Sequence, residues 1–213
     1  MSAVPKGAVY DHVKRAMDIG GAIAGLIATL PVLVLVSVMV AVRLGNPIIF
    51  RQARPGKNGE VFRVYKFRTM KSIDPSNGLV TDVERLTSFG RALRACSLDE
   101  LPTLINVLKG EMSIVGPRPL LVQYLNRYSV EQARRHEVRP GITGLAQSTG
   151  RNALSWNDKF ALDVYYVDHR SFSLDLKIIS MTVVSVLARE GISSAGHATA
   201  AEFMGSPRPA RML

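Results

Sequence analysis

The chain has 213 residues, enough for one domain with its own core plus an additional segment. Lysine and arginine number 27 against 17 aspartate and glutamate, and the resulting net charge of +10 favours phosphate-bearing partners such as nucleic acid, anionic lipid or a nucleotide-linked substrate. The single cysteine, Cys96, excludes an intrachain disulfide and indicates a reducing compartment, and without a cysteine-histidine cluster a structural zinc site is not expected.

The first part of the chain carries a membrane signal. Residues 1–10 show no periodic pattern and are predicted to be a loose end, whereas Ile19–Val42 is a run of 24 residues without a charge. As a straight helix this run would be about 36 Å long, enough to cross a bilayer core. Pro31 at its middle would bend the helix, and basic residues, which tend to stay cytoplasmic, flank both ends. We therefore predict a re-entrant membrane helix that turns back at Pro31, with a single kinked span as the alternative.

Two short extended runs follow, Pro47–Arg54 and Val61–Thr69. The turn residues of Pro55–Gly59 between them predict an antiparallel hairpin. Basic and apolar residues alternate in the second run, so this strand could face either a phosphate or lipid headgroups. Its basic residues are Arg63, Lys66 and Arg68. A polar loop is predicted over residues 71–81.

Helical spacing of apolar residues predicts four further helices, over Val83–Ala95, Leu120–His136, Ser155–His169 and Ser173–Glu190. Ser155 is expected to cap the third of these helices and Ser173 the fourth. The uncharged part of the last helix is too short to span a bilayer. The small and polar residues of 191–213 predict a flexible tail.

The predicted fold class is therefore α+β and mostly helical. We expect a re-entrant N-terminal membrane helix in residues 1–45 and a compact cytosolic helical domain with a small β-hairpin in residues 46–205. A flexible tail is expected in residues 206–213. The sequence shows no internal repeat and no second domain boundary, so the chain is predicted to be one functional domain.

The stretch Cys96–Pro102 carries the clearest chemical signal. Ser97 followed three residues later by Glu100 has the spacing of a capping box, and the apolar residues behind it predict a buried helix. Asp99 and Glu100 would then lie at the amino end of this helix, where free N–H groups and the helix dipole favour anions. Taken alone, such an acidic pair most often only caps its helix.

Arginines on rigid turns accompany the acidic pair. Arg118 lies between two prolines in Gly116–Pro119, and Arg139 opens a second proline-glycine turn that ends at Gly144. An arginine fixed in this way can hold a phosphate, although a solvated arginine on a stiff turn has the same pattern. Carboxylates beside an anion site need a cation between the charges, and Mg²⁺ would bridge carboxylate and phosphate. Because an aspartate can also attack phosphorus, the pattern favours phosphoryl-type transfer involving a membrane-held substrate.

Five motifs, in this order along the chain, together resemble the monotopic phosphoglycosyl transferases of bacteria, also called bacterial sugar transferases. The motifs are Tyr65–Met70, Ser97–Pro102, Asn106–Gly110, Gly116–Pro119 and Arg139–Gly144. The resemblance extends from Asp11 to Gly205. Glu190–Ser193 and Gly196–Thr199 resemble the small single-domain branch that includes the bacillosamine-phosphate transferase of N-linked glycan assembly.

The resemblance implies transfer of a sugar-1-phosphate from a UDP-sugar, expected to be an acetamido sugar, to polyprenol (undecaprenyl) phosphate with release of UMP. Asp99 matches the nucleophile that forms an aspartyl-phosphosugar, and Glu100 matches the neighbouring acid that helps to hold Mg²⁺. The basic residues of the phosphate site are matched by Arg94 and Arg118. The region expected to contact the nucleotide-sugar contains Arg139, Gln147, Arg151 and Asn152. The family's membrane helix breaks at a Ser-Pro pair, where this chain has Leu30-Pro31.

The resemblance also implies a location and a set of partners. We expect the bacterial inner membrane, with the catalytic domain on the cytosolic face, membrane lipid as a partner and no nucleic acid. The competing hypothesis is a membrane-anchored binding protein whose basic face holds anionic lipid or nucleic acid. Basic residues spread over several turns and the lack of a nucleic-acid-binding motif argue against it. The sequence leaves open the oligomeric state and whether the sugar is a hexose.

Overall fold

The computed structural model describes residues 6–150, 154–187 and 202–205. One long helix, α1 (Lys6–Leu44), lies against a domain of short helices and two small two-stranded sheets, so the predicted α+β, mostly helical class is confirmed. The helix includes residues 6–10, which were predicted to be a loose end. Tyr10 anchors this first part, because its hydroxyl donates to Asp175 Oδ2 at 2.9 Å and its ring packs 5.0 Å from that of Phe172.

One face of α1 packs on the domain along most of the helix. Buried or half-buried positions recur every three or four residues, and they are Asp18, Ala22, Gly25, Thr29, Val32, Val36 and Val40. The other face is apolar, and its side chains that are more than half exposed include Ile27, Leu30, Val34, Val38 and Val42. By length and composition, α1 is the one helix in the described ranges that could cross a membrane. An exposed apolar face of this length indicates contact with lipid or another apolar surface.

The helical assignment of α1 runs through Pro31 without interruption. Pro31 is exposed, on the apolar side of the helix. Two hydroxyls bond back to their own helix on either side of it, from Thr29 to the Gly25 carbonyl and from Ser37 to the Leu33 carbonyl, each at 2.7 Å. Such back-bonding often accompanies a bend. The turn at Pro31, and with it the re-entrant path, stays a prediction.

The predicted hairpin is confirmed. It consists of β1 (Ile49–Pro55) and β2 (Val61–Phe67), which pair antiparallel with Arg54 opposite Phe62. Side chains alternate across a strand, so Phe62, Val64 and Lys66 lie on one face of β2. Arg54 is paired with Phe62 and therefore lies on the same face of the hairpin. This register places two basic side chains on the same face.

The helix predicted over Val83–Ala95 is wrong in one respect: it is two helices, α2 (Asp82–Arg85) and α3 (Ser88–Ala95). Thr87 separates them, because its hydroxyl accepts the Gly90 N–H at 3.0 Å and so caps a new helix. The preceding residue is extended and cannot continue α2.

Helix α3 packs directly on the backbone that follows β2. A Cβ atom at Gly90 would lie 1.9 Å from the Thr69 carbonyl oxygen, so only glycine allows this approach. Arg94 at the end of α3 donates from Nε to the Thr69 hydroxyl at 3.1 Å. The close contact therefore fixes where Arg94 lies.

The capping box predicted at Ser97 is wrong. Ser97 has a positive φ of 54° directly after α3, and its side chain caps nothing. Leu98–Thr103 forms a 3-10 turn, and α4 (Leu104–Lys109) begins only after it. Pro102 explains the difference, because it lacks the N–H that an α-helix begun at Leu98 would need. Asp99 and Glu100, within Leu98–Thr103, thus lie in a 3-10 turn ahead of the helix.

The helix predicted over Leu120–His136 is also not continuous. It is a 3-10 stretch, Val122–Arg127, then α5 (Val130–Ala133), then a 3-10 turn, Arg134–His136. Ser129 causes the break, because its hydroxyl accepts the Gln132 N–H in a capping box and starts a new helix.

A second sheet, which was not predicted, joins the segments that contain the Gly116–Pro119 and Arg139–Gly144 motifs. Strands β3 (Ser113–Val115) and β4 (Gly141–Thr143) pair in parallel. Gly116, after β3, lies against β4 so closely that a Cβ at Gly141 would be 2.1 Å from the Gly116 nitrogen. The sheet therefore holds the Gly116–Pro119 turn against the Arg139–Gly144 turn.

The last helices are α6 (Leu145–Thr149), α7 (Trp156–His169) and α8 (Phe172–Leu187). Ser155 caps α7 as predicted, by accepting the Asp158 N–H at 3.2 Å. The cap predicted at Ser173 is wrong, because Ser171, two residues earlier, accepts the Leu174 N–H at 3.3 Å and α8 begins at Phe172. The predicted end at Glu190 lies outside the described residues.

The predicted tail over 191–213 is wrong for Glu202–Gly205. Phe203 is only 3% exposed and packs into an aromatic cluster. The other rings of this cluster are Tyr124, Tyr128, Trp156 and Phe160. Arg127 holds the segment Glu202–Gly205 against the domain, because its guanidinium donates to the Phe203 carbonyl at 2.5 Å. The rest of the predicted tail, including 206–213, lies outside the described residues.

Candidate active site

Asp99 and Glu100 meet basic side chains from three separate elements. Lys66, on β2, donates to Glu100 Oε1 at 2.5 Å, and Arg118, on the loop after β3, donates to the same oxygen at 3.1 Å. Arg94, from α3, lies near enough to Asp99 to act on its charge. The structure therefore brings together four of the predicted site residues. The Arg118 side chain is 47% exposed, so this charge can be reached from solvent.

The two neighbouring carboxyl groups differ in their affinity for a proton. Burial raises the pKa of Asp99, which is only 8% exposed, and the charge of Glu100 raises it further, against the opposing effect of the three cations. Burial also opposes ionisation of Glu100, but the charges and hydrogen bonds of Lys66 and Arg118 outweigh it and lower the pKa to about 2. Glu100 is thus a fixed anion, and Asp99 is the more basic carboxylate.

The Asp99 side chain is available for chemistry. Within the described ranges no hydrogen bond reaches its carboxylate, and only longer-range charges act on it. A carboxylate with raised basicity and without hydrogen bonds is a better nucleophile than one that accepts several. The pair therefore has two roles: Glu100 organises the cations, and Asp99 can attack an electrophile.

A buried ion pair supports the loop that carries Arg118. Arg135 is 2% exposed, and its guanidinium donates to Asp163 Oδ2 at 2.8 Å and to the Arg118 carbonyl at 2.6 Å. Asp163 lies on α7, so the pair ties the Gly116–Pro119 turn to that helix. Sequence reasoning missed this contact, because nothing local shows that Arg135 and Asp163 meet.

Lys66 is a site residue that the sequence indicated only as part of a basic strand. Its alternation with apolar residues in β2 was the signal, but the same pattern suits a strand face beside lipid. Its contact with Glu100 places the Lys66 side chain in the candidate site, beside the acidic pair.

Arg139 lies in a different cluster from the acidic pair. Its Nε donates to the Gly110 carbonyl at 2.9 Å, at the end of α4. Arg15, from α1, is its neighbour there and donates to the Val107 and Leu108 carbonyls at 2.6 and 3.0 Å. Arg139 therefore ties the Arg139–Gly144 turn to the end of α4, where Arg15 attaches α1. Its predicted contact with a nucleotide-sugar stays a prediction.

Of the other residues predicted to contact the nucleotide-sugar, one lies on α6 and two lie outside the described residues. Gln147 donates from Nε2 to the Ile142 carbonyl at 3.0 Å, while its buried Oε1 has no hydrogen-bond partner in the described part of the chain. Arg151 and Asn152 lie outside the described residues.

The fold and the site define a class. A buried carboxylate of raised pKa among cations, on a domain that carries one long apolar helix, is the arrangement expected of a membrane-associated enzyme that acts on an anionic substrate. A family model described as "Bacterial sugar transferase" matches residues 9–189, and the chain belongs to this family.

Individual relatives extend the comparison. The chain is similar to "Uncharacterized sugar transferase EpsL" of Bacillus subtilis (strain 168), with 53% identity over 195 residues that cover 91% of this chain and 96% of the relative. It is 41% identical to "Galactosyl transferase CpsE" of Streptococcus agalactiae serotype III (strain NEM316), over 85% of this chain and 44% of the relative. It is 37% identical to "UDP-glucose:undecaprenyl-phosphate glucose-1-phosphate transferase" of Caulobacter vibrioides (strain ATCC 19089 / CIP 103742 / CB 15), over 88% of this chain and 74% of the relative.

Replacing Asp163 by Asn is expected to lower the free energy of unfolding by about 3–5 kcal/mol, because Arg135 is left charged and unpaired in the interior. Asp168→Asn is the matched control on the same helix. It removes a partner of Arg134 at the solvent-exposed surface, where ion pairs contribute little. Denaturant unfolding of the detergent-solubilised proteins measures both changes. Equal changes in the free energy of unfolding would show that the buried Arg135–Asp163 pair contributes no more to stability than the exposed pair.

Proposed function

We propose that this chain transfers a sugar-1-phosphate from a UDP-sugar to polyprenol (undecaprenyl) phosphate and releases UMP. The observation that carries the proposal is Asp99, a buried carboxylate of raised pKa that accepts no hydrogen bond from the described residues and has Lys66, Arg94 and Arg118 near it. Membership of the bacterial sugar transferase family and the name of the Caulobacter relative support the same substrates.

The proposed reaction has two displacements at one phosphorus atom. First, an Asp99 oxygen attacks the sugar-bearing phosphorus, the bond to the bridging oxygen breaks, and UMP leaves with that electron pair. Next, an oxygen of polyprenol phosphate attacks the same phosphorus, and the bond to Asp99 breaks. The carboxylate is restored, and no net proton or electron is consumed. The raised pKa of Asp99 favours the first attack, and the surrounding cations reduce the repulsion between carboxylate and diphosphate.

We propose Mg²⁺ as the cofactor of this site. Asp99 and Glu100 supply carboxylate oxygens, and Mg²⁺ commonly takes one or two carboxylates from the protein beside substrate phosphates and water. The described residues contain no group of three or more metal-ligating side chains, so this pair would hold the ion together with the substrate. When bound, Mg²⁺ supplies positive charge that screens the diphosphate from the attacking carboxylate.

The competing hypothesis, a basic binding protein, requires the two acids to be simple helix caps. Glu100 instead binds Lys66 and Arg118, and Asp99 lies in a 3-10 turn without a hydrogen bond to its side chain from the described residues. A buried, unsatisfied carboxylate is unfavourable for stability, so its presence is better explained by chemistry.

The donor sugar is proposed to be an acetamido sugar, on the resemblance of residues 190–193 and 196–199, which lie outside the described residues. The relatives named for galactose and glucose make a hexose the alternative. Turnover with a panel of UDP-sugars distinguishes the two.

We further propose that α1 dips into the membrane and returns, with both of its ends and the domain on the cytosolic face. Near its start, Lys14 pairs with Asp175 at 2.8 Å, and near its end Val40 is buried in a cluster with Phe67. A spanning helix would carry one end away from the domain, whereas both ends of α1 contact it. The exposed apolar face between these contacts is the part available to lipid.

Asp99→Asn is expected to abolish turnover while the protein stays folded and membrane-bound, because an amide cannot act as the carboxylate nucleophile. Mass spectrometry should detect a sugar-phosphate adduct on the wild type and none on the variant. Asp82→Asn, at an exposed position on α2, is the control and should leave turnover unchanged. Substantial turnover by Asp99→Asn would show that another group attacks phosphorus.

Excess chelator is expected to stop turnover, and added Mg²⁺ to restore it, because the diphosphate and the acidic pair repel each other without a cation. Glu100→Gln should raise the Mg²⁺ concentration needed for half-maximal activity and lower the maximal rate. A titration of UMP release against Mg²⁺ measures both quantities. Full activity in chelator would contradict the assignment of a metal.

The proposed topology predicts that neither Ala3→Cys nor Val130→Cys, each made in a Cys96→Ser background, reacts with an impermeant thiol reagent in intact cells. Both should react after permeabilisation; Val130 is 91% exposed. Pro31→Ala should straighten α1 and make residue 3 reactive in part of the population. Labelling of residue 3 alone in intact cells, with Pro31 present, would show a spanning helix.

A further inference from the structure

Two basic side chains near Arg118 have no acidic partner in the described part of the chain. Arg54, at the end of β1, donates from its guanidinium to the neutral Gln52 Oε1 at 2.6 Å. Lys159, on α7, lies over the Trp156 ring with its Nζ 4.8 Å from the ring centre. Both side chains are half-buried, so neither charge is fully solvated.

Both cations lie on elements that meet the Arg118 loop. Arg54 is on the same hairpin face as Lys66, which shares a Glu100 oxygen with Arg118. Lys159 lies one helical turn before Asp163, which Arg135 ties to the Arg118 carbonyl.

Burial lowers the pKa of Arg54, and the charge of Arg118 lowers it further, to about 10. Lys159 also has a lowered pKa, from burial first and then from Arg118. The three positive charges therefore repel one another. Arg118 has an acidic partner, Glu100, but Arg54 and Lys159 have none in the described residues, and a bound anion would offset the repulsion between them and Arg118.

The cations on either side of Arg118 differ in what they face. Lys66 and Arg94 act on Asp99, whereas Arg54 and Lys159 act on Arg118. Arg54 and Lys66 share one face of the hairpin, so this face carries a second cation besides the one that contacts Glu100.

The substrate of the proposed reaction has a matching distribution of charge. A UDP-sugar carries two adjacent phosphates, and Asp99 attacks the one that bears the sugar. The other phosphate must point away from Asp99, because the attacking and leaving oxygens lie roughly in line at phosphorus. When the bridging bond breaks, the leaving phosphate gains a negative charge, which nearby cations would stabilise.

We propose that Arg54 and Lys159, together with Arg118, form a second phosphate subsite that binds the nucleotide-side phosphate of the donor and then that of the UMP leaving group. This assignment rests on the proposed function and extends it to two residues outside the acidic pair and its immediate cations.

The test is the affinity of UMP for the full chain in nanodiscs, measured by calorimetry. Arg54→Gln should weaken UMP binding at least about tenfold, because a charge-assisted hydrogen bond to phosphate is lost. Uridine, which has no phosphate, should bind the wild type and the variant equally. Arg63→Gln is the matched control, because Arg63 is an exposed arginine on the other face of the same hairpin, and it should leave UMP binding unchanged.

Lys159→Gln provides an independent variant on another element and should weaken UMP binding in the same direction, which keeps the test decisive if Arg54→Gln does not fold. In turnover assays the KM for polyprenol phosphate should be unchanged in both variants. Unaltered UMP affinity with a raised KM for polyprenol phosphate would overturn the subsite and assign these cations to the acceptor. Absence of UMP binding by the wild type would overturn the proposed function itself, a result distinct from unaltered binding by the variants.

Discussion

The contacts of Glu100 with Lys66 and Arg118 are the interaction on which the rest of the site depends. One carboxylate oxygen joins the hairpin, the 3-10 turn after α3 and the loop after β3 at a single point. Since Glu100 stays ionised at any physiological pH, these elements are held together without a contribution from Asp99. Within the described residues the Asp99 carboxylate accepts no hydrogen bond, so the arrangement of these elements does not depend on it.

The apolar helix is as much a part of the domain as it is a membrane element. Arg15 of α1 satisfies carbonyls at the end of α4, where a helix leaves acceptors unpaired, and Asp18 accepts the Ile114 N–H in β3 at 3.0 Å. Close packing reinforces these bonds, since a Cβ at Gly21 would lie 2.7 Å from the Ile114 side chain. The position of α1 is therefore linked mechanically to the strand that precedes the Arg118 loop.

The parts of the structure that the sequence predicted are those with local signals. The hairpin follows from the turn at Pro55–Gly59, and α7 from the Ser155 cap, because each is set by neighbouring residues. The helices over 83–95 and 120–136 were predicted too long, since a single threonine or serine can start a new helix inside an apolar pattern. Strands of three residues, such as β3, are too short to show a period. The contact between Arg135 and Asp163 results from the tertiary fold, and no spacing of residues in the sequence predicts it.

The burial of Phe203 has a consequence for handling the protein. The ring fills space between Tyr124, Tyr128 and Phe160, and Tyr128 in turn contacts the guanidinium of Arg135, which supports the Arg118 loop. Phe203 is thus connected through Tyr128 and Arg135 to the backbone carbonyl of Arg118. Tags or partner domains fused directly to the end of α8 would open this aromatic core to water, so any engineered junction belongs beyond Gly205.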